Sequence, residues 1–477
     1  MMRSLFSGVA GLRTHQTRMD VIGNNIANVN TTAYKSQSMT FSDLMYQTTQ
    51  AASGANATTG VGGINARQIG LGAKTAAIKT AISGQGSAQS TNDPFDIMIS
   101  GDAFFIVSNG SENFFTRDGS FYIDGKGNLA MTSTGYNVMG WQVDPSTGNI
   151  KKDTVTPLRL MTEENMTYPP EATTRATISG IVDKYDTDLA TDTGSVMDLE
   201  IYDNQGYQYT VRLGVHEIDG EAGQFYVTMH DIKDSTGKSI MDLNVTGGAD
   251  GQTVKDLVKL NPSADGSAAG SVTLADGTVV DQSVALNFVS GKGTFENVGG
   301  TPGTAGEKTV KLSFGGIANF PAEIELDFSA TYNYNKNGTS TISAIRGADG
   351  GLGSGRTIGE MSGITVQKDG MIYASYDNGQ RKLLGQISTA SFANPSGLAK
   401  EGDNLYSATM NSGDFDGIGD DITVGGGRME SGVLEMSNVD LAAEFTEMIT
   451  TQRGFQANSR IITVSDTLLE ELTNLKR

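Results

Sequence analysis

The sequence predicts an α+β fold that is mostly β, with coiled-coil-like helices at both chain ends and nested β-rich domains between them. Three observations support this class. Large apolar side chains recur every seven residues near each end, as in helices that pack along a narrow seam. Asn-Gly and Asp-Gly pairs separate alternating segments in the middle, which is typical of hairpins. Glycine is abundant, with 61 of 477 residues, and this indicates many turns.

The first predicted element is a helix from about Ser4 to Val29. An apolar residue stands at every seventh position, and two more widen the stripe by a step of three. This N-terminal seam consists of Leu5, Leu12, Met19, Ile22, Ile26 and Val29.

Residues 31–91, together with 428–437, are predicted to be a linker region. Residues 51–63, AASGANATTGVGG, are almost all small or polar, which favours a flexible connector.

Two nested β domains follow. The first is predicted over 92–156 and 346–427, with hairpins at 121–131 and 364–387. An outer domain is predicted over 157–345, as one unit or two. Its stretch 245–308 is poor in large apolar residues, so it is either a loosely packed insertion or an exposed face.

The last predicted element is a helix that ends at Leu475. Ser437 is the expected N-cap, with Asp440 at the capping-box position. Gly454 inside the helix is either a tolerated defect or a close approach to a neighbour. The C-terminal seam consists of Leu434, Leu441, Phe445, Met448, Phe455, Ile462 and Leu469.

The partner of the two seams is open at this point: they pack on each other, or they face other chains. Ten buried seam residues contribute roughly 15–30 kcal/mol. Ordering some sixty residues costs about 1–2 kcal/mol each in backbone entropy, which helix hydrogen bonds offset only in part. An isolated pair is therefore marginal, and we expect these helices to fold on association.

Composition excludes several classes of function. A net charge of −20 argues against nucleic acid or an anionic membrane as partner, and predicts repulsion between copies at low salt. The absence of cysteine excludes disulfides and thiolate chemistry. No apolar run reaches the ~20 residues of a membrane span, and the N-terminus lacks the apolar core of a cleaved signal peptide.

The sequence predicts no catalytic residue, no cofactor and no metal site. The histidines His15, His216 and His230 have no helical or hairpin ligand spacing. Asp93, Asp96 and Asp102 are imaginable as an acid/base set, but turn and strand-end positions are the simpler interpretation. The acidic stretch at 414–421 lacks the EF-hand order and is expected to be a solvated loop.

Both ends resemble the signatures of the bacterial flagellar axial proteins, the rod, hook and hook-associated family. The resemblance rests on GNNIANVNT at 23–31 within residues 4–47, and on residues 432–462. Between the two ends, the segments before residue 145 and after residue 345 resemble the hook members of this family. The motif positions are Gly23, Asn24, Asn25, Ala27, Asn28, Asn30, Ser437, Asn438, Val439, Asp440, Gln452 and Arg453.

The resemblance implies a structural subunit of a helical homopolymer whose terminal helices line the core of a tube. Implied partners are other copies, the distal rod protein, the hook cap, the hook–filament junction proteins and the flagellar export apparatus. It also implies an extracellular place in the flagellum and export without a cleaved signal. A rod or junction protein is the alternative. A secreted β-rich enzyme or adhesin with helical stalks is a third possibility.

The N-terminal motif differs from the family pattern after the helix, and it contains an unusual cluster of asparagines. Ala33, Tyr34 and Lys35 stand where the family usually has Gly-Phe-Lys, and Ala33 adopts a positive φ less easily than Gly. Asparagine crowds the helix end although it is a mediocre helix former. We expect Asn24, Asn25 and Asn28 to adopt left-handed geometry and to satisfy orphan carbonyls there.

Overall fold

The computed structural model describes residues 2–54, 60, 62–218, 223–245, 252–262, 270–274, 277–300, 302–304, 306–348 and 350–475. The chain forms two compact units. The terminal unit comprises Met1–Asn165, Ser362–Ser375 and Arg381–Arg477, and the inserted unit comprises Met166–Met361 and Tyr376–Gln380. Among the described residues, no helix is both long and apolar enough to cross a membrane.

Helices stand at both ends of the terminal unit, as the apolar repeats predict. The N-terminal helix spans Met2–Ala27, and the C-terminal helix spans Leu441–Asn474. The predicted N-cap is wrong by three residues. Asp440 is the cap, because its carboxylate accepts hydrogen bonds from the backbone of Ala442 at 2.9 Å and of Ala443 at 3.3 Å.

The predicted linker contains regular structure. Gln37–Asp43 pairs with Ala73–Thr80, and Tyr46–Gln50 pairs with Arg67–Gly70, so this part of the chain is an antiparallel ribbon. Gly72 of the ribbon packs on the N-terminal helix, where an added Cβ would lie 3.0 Å from the Cβ of Ala10. Residues 55–59 and 61, in the predicted flexible run, lie outside the described residues.

The remaining β structure of the terminal unit surrounds an aromatic core. Phe104 and Phe115 are buried there, and Trp141 donates to the carbonyls of Asp153 and Ile418. Both predicted hairpins are present. The strands outside the ribbon are Ala88–Ser90, Ile97–Ser100, Phe104–Ser108, Asn113–Thr116, Phe121–Ile123, Leu129–Met131, Asn137–Gln142, Thr156–Pro157, Gly359–Val366, Met371–Tyr376, Arg381–Ile387, Thr389–Ala390, Ala399–Gly402, Leu405–Ser407, Arg428–Ser431 and Val433–Glu435; two of them cross the division between the units.

The inserted unit contains two five-stranded sheets that share one apolar core. In sheet order, the first has Lys259–Asn261, Thr309–Ser313, Glu323–Asn333, Arg175–Val182 and Ser343–Arg346. The second has Ser195–Tyr202, Gln208–Glu217, Phe225–Asp234, Ser283–Phe288 and Phe295–Val298. Leu260 and Leu286, from the described part of 245–308, are fully buried in this core. The helical turn Val254–Leu257 adds Val254 to it, whereas the short hairpin of Ser271–Thr273 with Val279–Asp281 packs Val272 in a smaller, separate cluster.

Candidate assembly site at the chain ends

The two terminal helices pack against each other in antiparallel orientation. Ser4 lies beside Ser465, with 3.4 Å between their hydroxyl oxygens. Further along, Arg18 Nη2 lies 3.0 Å from Glu447 Oε2. The N-terminal helix therefore runs towards the start of the C-terminal helix.

Small residues bring the two helix backbones close together. A Cβ added at Gly454 would lie 2.6 Å from the ring of His15, and one added at Gly11 would lie 2.6 Å from Asn458 Nδ2. Thr451 and Ser465 are the buried residues of the C-terminal helix. Gly454 is thus a point of close approach, which answers the question left open by the sequence.

Large apolar residues of the C-terminal helix stay uncovered. Phe445 is 50% exposed and Ile449 is 59% exposed on one side near the helix start. Val464 and Leu468, also exposed, lie near the other end of the helix and about 100° further round it, at about 3.6 residues per turn. The antiparallel partner therefore covers neither apolar face.

The predicted seam residues differ in how far this packing buries them. Leu434 lies in the strand Val433–Glu435, not on the helix, because the helix begins only at its Asp440 cap. Ile22 is buried, whereas Leu441, Phe445 and Phe455 are exposed. The half-buried seam residues are Leu5, Leu12, Met19, Ile26, Val29, Met448, Ile462 and Leu469.

Asn25 explains part of the asparagine cluster. Its side chain is 1% exposed and pairs with the backbone of Gln37 in both directions, at 2.8 and 2.9 Å. Its Nδ2 also donates to Glu444 Oε1 at 2.8 Å, so one amide joins both helices and the ribbon. Burial raises the pKa of Glu444, an effect that this hydrogen bond opposes.

The other expectations for this motif are met in part. Asn28 Nδ2 donates to the carbonyl of Asn24 at 2.9 Å, but this carbonyl is not an orphan, because it also accepts the backbone N–H of Asn28 at 3.2 Å. Left-handed geometry is wrong for the three asparagines. Ala33 has it instead, with φ at 55°, because the chain turns there while its N–H donates to the Glu435 carbonyl.

The C-terminal motif residues differ in role. Asn438 accepts from the Ser36 N–H at 2.7 Å and donates to the carbonyls of Ala81 and Gly84. Ser437 accepts from the N–H of Val439. The exposed motif positions are Gly23, Asn24, Ala27, Asn30, Asp440, Gln452 and Arg453.

A buried charge cluster beside this motif is not predicted by the sequence analysis. Lys35 Nζ lies 2.6 Å from Glu435 Oε1, and both side chains are almost fully buried. Arg117 Nη1 lies 4.0 Å from the other oxygen of Glu435. Burial lowers the pKa of Lys35 and of Arg117, and Glu435 opposes both shifts. Burial also raises the pKa of Tyr406 to about 12.

The acidic residues considered for chemistry form turns. Asp93 accepts from the Phe95 N–H and Asp416 accepts from the Ile418 N–H, each two residues on. Asp421 pairs with Lys152 at 2.8 Å.

The prediction that no two histidines have the ligand spacing of a hairpin is wrong. His216 and His230 lie on adjacent antiparallel strands, and both Nε2 atoms contact the Thr228 hydroxyl, at 3.0 and 3.1 Å. A strand bulge near Arg212 brings them to one face. Within the described part of the chain, no three His, Asp or Glu residues form a metal-binding group.

Three family models match separate parts of the chain. "Flagella basal body rod protein" matches residues 5–35, "Flagellar hook protein FlgE/F/G D1 domain" matches 98–180, and "Flagellar basal body rod FlgEFG protein C-terminal" matches 430–475. The matches include both helices and the charge cluster residues Arg117 and Glu435.

Full-length relatives give the same result. The flagellar hook protein FlgE of Borreliella burgdorferi is 35% identical, and that of Treponema pallidum is 33% identical. Each alignment covers 100% of this chain and 100% of the relative. The flagellar basal-body rod protein FlgG of Bacillus subtilis is 28% identical, also with 100% of each chain covered.

Proposed function

Because this chain belongs to the family of bacterial flagellar hook proteins and is a hook structural subunit, we propose that its copies polymerise head-to-tail into a curved tube. This tube is the joint that transmits motor torque to the filament. Contacts between unlike surfaces that do not close into a ring give a helical polymer. The subunit reaches the outside of the cell through the flagellar export apparatus. It meets the distal rod protein, the hook cap and the hook–filament junction proteins.

The exposed apolar residues of the C-terminal helix carry this proposal. The helix pair uses small residues for its own contact, so Phe445, Ile449 and Leu468 remain available to other copies. Burying such side chains fully is worth about 1.5–3 kcal/mol each.

Charge supports a salt-dependent assembly. The inserted unit has 27 acidic and 13 basic residues, a net charge of −14, while the terminal unit has 27 acidic and 21 basic residues, a net charge of −6. Copies packed side by side therefore repel mainly through their inserted units. Screening shortens this repulsion to about 10 Å at 0.1 M salt.

The test is negative-stain electron microscopy of the full-length protein at raised salt, beside the variant Leu468→Ser/Leu472→Ser. We expect tubes from the wild type and single particles from the variant, with unchanged helix content by circular dichroism. The matched control Thr463→Ser/Thr467→Ser changes exposed polar positions on the same helix and should form tubes. Tubes from all three proteins would contradict assembly through this face.

A rod role is the second candidate, favoured by the full-length match to a rod protein at 28% identity. It predicts short polymers that do not lengthen when preformed hook fragments are added as seeds. Growth of long tubes from such seeds would exclude it.

A further inference from the structure

We infer that the buried ion pair of Lys35 and Glu435 is a clasp that fixes the segment after the N-terminal helix to the segment before the C-terminal helix, and that the helix pair closes only once these segments are joined. The inference rests on the proposed function, because it concerns when the helix pair becomes competent to assemble. Lys35 follows the N-terminal helix, and Glu435 precedes the C-terminal helix. The two are positioning residues for both helices.

Lys35 depends on Glu435 for its place. Its side chain is 1% exposed, and its Nζ lies 2.6 Å from Glu435 Oε1 and donates to the Gly84 carbonyl at 2.7 Å. A buried ammonium group without a counter-charge is far costlier than a neutral polar group without a partner. The segment around Lys35 therefore cannot hold this position before the carboxylate arrives.

Glu435 serves more than one partner. Its Oε1 also accepts from the Gly86 N–H at 2.8 Å, and its Oε2 lies 4.0 Å from Arg117 Nη1. Arg117 is itself 2% exposed. One carboxylate thus faces two buried cations. Removing it leaves both cations without their carboxylate, whereas removing Lys35 leaves Glu435 with Arg117 and Gly86.

Backbone hydrogen bonds on either side of Lys35 also depend on the segment that contains Glu435. The N–H of Ala33 donates to the Glu435 carbonyl at 2.7 Å, and the N–H of Ser36 donates to Asn438 Oδ1 at 2.7 Å. Buried N–H groups need acceptors, and these acceptors are about 400 residues further along the chain. In a chain made from its N-terminus, residues 33–36 therefore lack these acceptors until residues 435–438 have followed.

The fit around the clasp is close. A Cβ added at Gly86 would lie 1.8 Å from the Met436 carbonyl oxygen, so residues 84–86 press directly on the C-terminal segment. The pocket for Lys35 therefore does not exist until residues 435–438 form one of its walls. A chain that lacks residues 435–438 therefore keeps the segment around Lys35 open.

The experiment is hydrogen–deuterium exchange of the full-length protein, at concentrations where it is monomeric. We expect Glu435→Gln to speed exchange of residues 33–37 at least tenfold, and Lys35→Met to speed it less. Exchange of 208–217, in the inserted unit, should not change in either variant. At higher concentration, Glu435→Gln should also lose tube formation.

An exposed ion pair of the same unit provides the control variant. Glu447→Gln removes the exposed partner of Arg18 and should leave exchange at 33–37 unchanged. An effect of Glu435→Gln below twofold, or an effect of Lys35→Met that equals or exceeds it, would overturn the clasp. If Glu435→Gln does not fold, Lys35→Met decides alone, and unchanged exchange at 33–37 overturns the clasp. Failure of the wild type to form tubes would count against the proposed function and not against this result.

Discussion

Leu199, Leu213 and Phe328 of the inserted unit have no exposed surface, whereas Phe445 and Ile449 of the C-terminal helix expose half of their surface or more. The inserted unit covers its apolar residues with its own two sheets. The terminal helices contact each other where glycines face larger side chains, as Gly454 faces His15 and Gly8 faces Ile462, and other apolar side chains stay exposed. The difference teaches that apolar periodicity identifies a face to be buried, but not the molecule that buries it.

The comparison is tested most strongly by one substitution made in both regions. Phe328→Ala in the inserted core should lower the free energy of unfolding of that unit by about 3–5 kcal/mol, through lost burial and the cavity left behind. Phe445→Ala should change monomer stability by less than about 0.5 kcal/mol. Hydrogen exchange of strands 208–217 and 323–333 and of the helix measures both effects. Similar losses in the monomer would mean that Phe445 is covered within one chain.

The contact between the two terminal helices should be sensitive to added side-chain volume, whereas the inserted core should be sensitive to lost volume. Gly454→Val places side-chain atoms against His15 and should destabilise the helix pair by about 1–3 kcal/mol. Thermal unfolding followed by circular dichroism at 222 nm measures the change. Ala457→Val, at an exposed position on the same helix, is the control. Equal shifts for the two variants would argue against close backbone approach.

The inserted unit should also be the more acid-sensitive region at mildly acidic pH, because it has two histidines with a lowered pKa, His216 and His230, and the terminal unit has one, His15. Burial lowers the pKa of His216 and of His230 below 6.5, and each is further lowered by a nearby cation, His230 or Arg212. Hydrogen bonds to the backbone at Thr191 and Thr193, and Asp192 beside His216, oppose these shifts. The unfolded chain then binds protons more readily than the folded one.

Stability of the inserted unit is therefore full above pH 6.5 and falls as the pH drops below it, by at most about 1.4 kcal/mol per pH unit and histidine. Urea unfolding between pH 8 and pH 5, followed by exchange in 208–217, measures the slope. His230→Gln should reduce it, and an unchanged slope would assign the pH dependence to other groups.

The smallest effect is expected at the turn after the N-terminal helix. Ala33 is held at a φ of 55°, which costs a residue with a Cβ roughly 1–2 kcal/mol. Ala33→Gly removes this strain but adds about 0.5–1 kcal/mol of unfolded-state entropy. We expect the terminal unit to gain less than about 1 kcal/mol, measured as a higher Tm. A lower Tm would show that the buried methyl group outweighs the strain.

The sequence predicts those parts of the fold that depend on neighbouring residues in the chain. The predicted starts lie within three residues of the observed ones: Ser4 is predicted where the helix begins at Met2, and Ser437 is predicted as the cap where Asp440 is found. The Asp-Gly turns place both hairpins. The ribbon between 37 and 80 is not predicted, because its small and polar residues also suit a linker. The N-cap is predicted at the wrong residue because Ser437 and Asp440 both have side chains that cap helices well. Only their hydrogen-bond partners in the structure distinguish them.

What the sequence by itself determined is the pattern of apolar residues, the turns, the charge and the family signatures. The tertiary structure decided the partners. It placed Gly454 against His15, brought His216 beside His230, and buried Lys35 with a carboxylate 400 residues away. Local patterns follow from backbone geometry over a few residues, whereas a buried ion pair depends on which distant segments the whole fold brings together.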